Sequence, residues 1–202
     1  KSGLIIEKDN TSSIIGPVRI FNCSFRNNLS TPLTTWALTN YIDQNVFTGN
    51  VCDSGSSVLQ CNFREVTIYH YTYTHDLVFR NNTLFGNSGR QDIAITIPDA
   101  SPFGGRISNN IFWNAHNKNG KTIISDTCKN HLSIDHDCFR SDSSGFEIPI
   151  DTNISFKDNS FATYPDFSDT LKADFSLQGT SILIDKGSDI DHGPVLGDLY
   201  FD

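Results

Sequence analysis

Methionine is absent from the whole sequence, position 1 included. Lys1 is therefore expected to be exposed by processing or by excision, and the residues to be the C-terminal part of a longer chain. No apolar run approaches the roughly 18 residues of a spanning helix, and neither a charged-then-apolar leader nor a lipidation motif opens the sequence. A soluble chain with no membrane span is the expectation. No basic run interrupts a net charge of −8, which excludes nucleic-acid binding through phosphate neutralisation and counts against a simple positive groove for acidic sugars. There is no CxxC, and the cysteines number five, Cys23, Cys52, Cys61, Cys128 and Cys138. An odd number excludes a complete disulfide framework, though Cys52 with Cys61, or Cys128 with Cys138, could pair in an oxidising compartment.

What is present is one short phrase, repeated: an apolar residue, three residues ending in Asn or Asp, one further residue, then a large apolar side chain. It occurs at residues 20–25 (IFNCSF), 42–47 (IDQNVF), 79–84 (FRNNTL), 107–112 (ISNNIF), 134–139 (IDHDCF) and 156–161 (FKDNSF). The fourth position is Asn in four copies, Asp137 in one and Cys23 in the first. The closing residues Phe25, Phe47, Leu84, Phe112, Phe139 and Phe161 are about 22, 37, 28, 27 and 22 residues apart, the range of solenoid coils. Between copies lie second strand-like runs at 35–39, 57–61, 92–97, 122–125 and 146–150, most of them rich in β-branched and aromatic residues. Two or three short strands per turn predict an all-β parallel β-helix of about six to seven coils in a single domain over 1–202. The recurring Asn is expected at a corner, where it tolerates the left-handed backbone and its amide bonds the neighbouring rung.

The phrases at residues 78–87 (VFRNNTLFGN) and 106–114 (RISNNIFWN) resemble the right-handed parallel β-helix proteins of the pectin-lyase-like superfamily. Residues 164–202, with ADFSLQGTSILIDKGSDID followed by GPVLGDLYF, resemble the closing segment of secreted bacterial members. Gly193, Pro194, Gly197 and Asp202 fall at comparable places, while Thr180 stands where a proline is usual. The resemblance implies a terminal coil and capping segment over 164–202 and a secreted or cell-surface, carbohydrate-related setting. It does not imply an activity, because that scaffold carries lyases, hydrolases, epimerases, adhesins and spike proteins.

Four groups of side chains are candidates for chemistry. Residues 65–76 (EVTIYHYTYTHD) are extra in the longest turn. If they are extended, alternation sets Tyr69, Tyr71 and Tyr73 on one face, an aromatic strip suited to stacking on sugar rings. Lyase chemistry on a uronate needs a base and a cation on the carboxylate, for which Arg80, Arg106, His70 and His75 are the available pieces, with alternation around Phe79 and Ile107 pointing both arginines outward. Cys128, His131, Asp135, His136, Asp137 and Cys138 have transition-metal ligand types, but Ile134 between them makes the side chains diverge. In the acidic tail Asp185, Asp189, Asp191 and Asp198 could hold Ca²⁺, although no cofactor is required. Three functions fit: an extracellular polysaccharide-binding β-helix; a polysaccharide lyase acting on an acidic uronate polymer; or a self-assembling surface, spike or fibre subunit whose open first rung stacks on a homo-oligomer partner or on further coils.

Overall fold

The computed structural model describes residues 3–6, 17–37, 39–52, 57–62, 67–68, 71–72, 75–89, 91–96, 103–113, 122–126, 131–140, 146–147 and 154–188. Among these residues the chain is all-β, and three sheets of six strands each carry the architecture. The first sheet collects Leu4–Ile6, Leu33–Trp36, Ser57–Asn62, Gln91–Thr96, Thr122–Asp126 and Phe146–Glu147. The second collects Val18–Phe21, Thr39–Asp43, His75–Arg80, Phe103–Ser108, His131–Asp135 and Ile154–Lys157. The third collects Ser24–Arg26, Val46–Thr48, Thr83–Phe85, Ile111–Trp113, Cys138–Phe139 and Ser160–Phe161. Neighbours within these sheets pair in parallel, and the chain visits first, second and third sheet in the same order six times. That is the connectivity of a parallel β-solenoid.

The repeated phrase sets the register. Ile20, Ile42, Phe79, Ile107, Ile134 and Phe156 are partners from strand to strand. So are the closing residues Phe25, Phe47, Leu84, Phe112, Phe139 and Phe161. Both columns point inward, and Ile42, Phe47, Phe79, Leu84, Ile107, Phe112, Ile134 and Phe139 have no exposed surface. The closing rings stack nearly flat, with centroids 4.8 Å apart for Phe25 and Phe47 and 5.1 Å for Phe112 and Phe139. Each such side chain contributes roughly 1.5–3 kcal/mol by leaving water, and only neighbouring coils can supply the cover.

The corner between second and third sheets is built by two residues rather than one. The left-handed conformation belongs to the residue before the recurring Asn: Asn22, Gln44, Asn81, Asn109, His136 and Asp158 all lie between φ 53° and 58°. The Asn itself turns inward and works through its amide. Asn45 Oδ1 accepts from the Cys23 N–H at 3.0 Å, and Asn82 Oδ1 accepts from both the N–H and Nδ2 of Asn45 at 2.9 and 3.0 Å. Asn110 Oδ1 does the same for Asn82, and Asp137 Oδ1 for Asn110 at 2.7 and 2.9 Å. Each Nδ2 also donates back to a main-chain oxygen of the preceding coil: Asn45 to Ile20, Asn82 to Ile42, Asn110 to Phe79 and Asn159 to Ile134. The result is a continuous buried amide ladder, with both ends of each amide bonded.

A second ladder, unforeseen in the sequence, follows the third sheet. Asn28 donates from its N–H and Nδ2 to Asn50 Oδ1, and Asn50 donates likewise to Asn87 Oδ1. Before each of them stands a left-handed residue, Asn27, Gly49 or Gly86. Cys23, Cys52, Cys61 and Cys138 form no disulfide in this structure, so neither Cys52–Cys61 nor Cys128–Cys138, the pairs that could form in an oxidising compartment, is bonded. Cys61 is fully buried in the core, Cys52 Sγ donates to the Ser30 carbonyl, and Cys138 Sγ to that of Thr163. Burial pushes the thiols of Cys61 and Cys138 up to about 12.

The described part of the closing segment lies along the side of the coils. Phe167–Asp169 and Asp174–Leu177 form an antiparallel pair whose Phe167 and Phe175 rings pack on Phe85 of the third sheet at 5.6 and 5.1 Å. Tyr164 meets Trp113 edge-on at 5.4 Å. Beyond it the backbone of Ser188 is gripped at both ends by the Asn109 amide, its N–H donating to Oδ1 at 3.0 Å and its carbonyl accepting from Nδ2 at 3.3 Å.

Candidate functional site

Because Ile42, Phe79, Ile107 and Ile134 face inward, their strand neighbours face out, and the outer face of the second sheet gathers charged side chains from each of its strands. One outward column is Arg19, Tyr41, Val78, Arg106, Ser133 and Ser155; the next, two residues on, is Phe21, Asp43, Arg80, Ser108, Asp135 and Lys157. Arg80 and Arg106 therefore stand in adjacent columns. The Arg19 guanidinium lies 5.7 Å from the centre of the Tyr41 ring, within reach of a cation–π contact.

The ions here are tied across coils. Arg80 Nε donates to Asp43 Oδ2 at 2.9 Å, and Asn81 Nδ2 holds the other oxygen at 2.9 Å. Asp135 is more enclosed: Ser133 Oγ donates to its Oδ2 at 2.9 Å, while Arg106 Nη2 and His136 Nδ1 approach Oδ1 at 3.3 and 3.2 Å. Burial opposes ionisation of Asp135, but Ser133, His136 and Arg106 outweigh it and hold the carboxyl below the usual carboxylate range. Asp135 is thus a fixed anion that orients its neighbours, a poor general base near neutral pH. Three donors on and beside this face have no partner: Arg106 Nε, Ser108 Oγ and Ser188 Oγ are each buried with nothing to donate to.

The sequence candidates meet this frame unevenly. Thr67–Ile68 pairs antiparallel with Tyr71–Thr72, Ile68 opposite Tyr71. The alternation expected across Tyr69, Tyr71 and Tyr73 falls largely on residues outside this pair. Tyr69, His70 and Tyr73 lie outside the described residues, and only the backbone of Tyr71 is placed. His75 opens the strand His75–Arg80, its backbone in register with Phe103. In the chain the extra residues lead directly into this strand, which also carries Arg80. Asp185 is exposed at φ 60°, and Asp189, Asp191 and Asp198 lie outside the described residues. Among the described residues no three His, Cys, Asp or Glu side chains converge on a metal position. Asp135 faces outward and Asp137 inward, and Cys128 is not described. No helix of the described residues is long and apolar enough to cross a membrane.

Reasoning from the sequence did not identify Tyr41, Asp43 and Asp135 as members of this face. Their signal was available: each sits one position from an inward residue of the phrase. No protein-family model, curated protein or solved structure matches the chain.

Proposed function

We propose that the protein is a secreted or cell-surface right-handed parallel β-helix of the pectin-lyase-like kind that binds polysaccharide along the outer face of its second sheet. The observation that carries this reading is the pair of outward columns on that sheet, which set Arg19, Tyr41, Arg80, Arg106 and Lys157 side by side from coil to coil, with the Arg106 side chain 40% exposed. A hydroxyl-rich or carboxylate-bearing polymer supplies acceptors for these outward cationic side chains. Side-chain columns spaced about 4.8 Å from coil to coil offer such a polymer repeated contacts along its length. The tyrosine-rich insertion, which in the chain leads into the strand carrying Arg80, would add aromatic surface for sugar rings, and neither a metal nor another cofactor is needed for binding.

Retention on immobilised glycans tests the assignment. Retention should fall in the triple variant Tyr69→Ala, Tyr71→Ala, Tyr73→Ala and in Arg106→Ala; wild-type retention by both would refute it. Assaying the same samples on pectate, alginate and glycosaminoglycans for near-ultraviolet absorbance of an unsaturated uronate distinguishes binding from the lyase alternative. One observation favours a second reading, self-assembly: Leu4, Ile5 and Phe21 of the first coil are 46, 48 and 61% exposed. A strictly monomeric mass in solution argues against it.

A further inference from the structure

The buried ladder contains one substitution in kind. Five of its six positions are Cys23 or asparagine, and the fifth coil carries Asp137. Its Oδ1 does what every asparagine Oδ1 in the ladder does, accepting from the N–H and Nδ2 of Asn110 at 2.7 and 2.9 Å. Its Oδ2 is then left in the place where Asn45, Asn82 and Asn110 carry Nδ2. In those coils that nitrogen donates to the carbonyl of the preceding coil and to the next amide oxygen. For Asp137 the corresponding acceptors are the Ile107 carbonyl and Asn159 Oδ1, the latter already accepting the Asp137 N–H at 2.8 Å. Asp137 Oδ2 is buried and without a partner. An ionised carboxylate would set oxygen against two acceptors; a site shaped for N–H accepts O–H.

We propose that Asp137 is a neutral carboxylic acid whose Oδ2–H completes the ladder, making the joint between the fourth and fifth coils a proton-dependent lock. The charged and titratable groups around it favour this state. Asp135, two residues away on the outer face, is held as an anion, and its charge opposes a second one. Asn110 and Asn159 above and below are uncharged. Arg106 and His136 are engaged with Asp135, and Lys157 approaches Asp158. Cys138, buried beside it, is pushed toward its neutral thiol. Burial is the largest influence on Asp137 itself and raises its carboxyl well above the ordinary value, against the two Asn110 bonds that favour the charge.

The pH dependence follows in sign. Unfolded, an aspartate loses its proton near pH 4. Above that point the folded chain holds a proton that the unfolded chain has released, so the stability from the lock is whole below about pH 4 and is lost as pH rises toward the folded value, up to tenfold in the unfolding constant per pH unit. Asp137→Asn carries no such proton and supplies the missing Nδ2. Denaturant unfolding of both proteins at a series of pH values should show near-equal stability around pH 4 and a gap in favour of the variant that widens with pH. A gap constant with pH, or a variant less stable than wild type at pH 8, would overturn the proposal. An independent reading on the wild-type protein is a carboxyl-carbon NMR titration of ¹³C-labelled aspartate. One carboxyl should remain protonated at neutral pH, and ionisation of all of them by about pH 6 overturns it equally.

Discussion

Asn82→Ala removes the central rung of the ladder while leaving the backbone free to keep its conformation. Four hydrogen bonds are lost: those from Asn45 N–H and Nδ2 to Asn82 Oδ1, and those from Asn82 Nδ2 to the Ile42 carbonyl and Asn110 Oδ1. They differ in consequence. Asn110 Oδ1 keeps the Asn82 N–H as donor, and Asn45 Nδ2 keeps the Ile20 carbonyl as acceptor. The Asn45 N–H, by contrast, is left in a buried corner with its acceptor gone. One orphaned buried donor costs about 1–3 kcal/mol and each other lost bond about 0.5–1.5 kcal/mol, so a loss of roughly 4 kcal/mol is expected. That is a large share of the roughly 5–15 kcal/mol that holds an ordinary domain together. Asn28→Ala is the control. Asn28 ends the second ladder, and its side chain donates to Asn50 Oδ1 while the backbone N–H bond to the same oxygen remains, so about 1 kcal/mol is at stake. Urea unfolding followed by circular dichroism measures both. If the two variants differ by less than about 1 kcal/mol, the ladder does not bear the stability assigned to it.

Gly49 and Gly86 both occupy the left-handed region, at φ 61° and 63°, but only at Gly49 would an added Cβ meet a neighbour, Asn27 Oδ1 at 2.6 Å. Gly86→Ala should therefore cost the conformational term alone, roughly 1–2 kcal/mol, and Gly49→Ala measurably more. Equal shifts in thermal midpoint would show that the Asn27 contact relaxes freely. Cys23→Asn should extend the ladder by one amide, since the Cys23 N–H already donates to Asn45 Oδ1 at 3.0 Å and an added Nδ2 can reach the same oxygen. A gain of up to about 1 kcal/mol in urea unfolding is expected, and no gain would mean that the exposed first coil is too loose to hold the bond.

The architecture was legible because its determinants repeat. A coil buries its apolar face only against its neighbours, so the same inward position is constrained in every turn, and Phe47, Phe112 and Phe139 announce it. The left-handed corner was assigned one residue too late, because Asn is common both before and at the ladder position: Asn81–Asn82 and Asn109–Asn110 read alike in sequence and do different work. The second ladder escaped notice because the Asn three residues after the closing apolar position recurs only at Asn28, Asn50 and Asn87; Ala115 stands at that spacing in the next copy. The outer face was least legible. Arg80 pairs with Asp43 across 37 residues, Arg106 with Asp135 across 29, and Asn109 holds Ser188 across 79. Turn lengths vary, so no fixed spacing announces such pairs.

The two ladders also bear on why the coils hold one register. Apolar columns alone tolerate exchange among Ile, Leu and Phe, as Leu84 between Phe47 and Phe112 shows, and a slip of two residues would keep inward side chains inward. A buried amide does not tolerate it. Displaced by two residues, Asn82 would leave the Asn45 N–H without its acceptor and take a donor from the Ile42 carbonyl in a place water does not reach, and the other amide rungs would lose the same bonds. The polar interior therefore specifies which residues stack, while the apolar interior supplies the larger part of the driving force. Asp137 meets the same requirement only by keeping its proton. Specification of register between the fourth and fifth coils then depends on pH in a way that the all-amide rungs between the second and fourth do not.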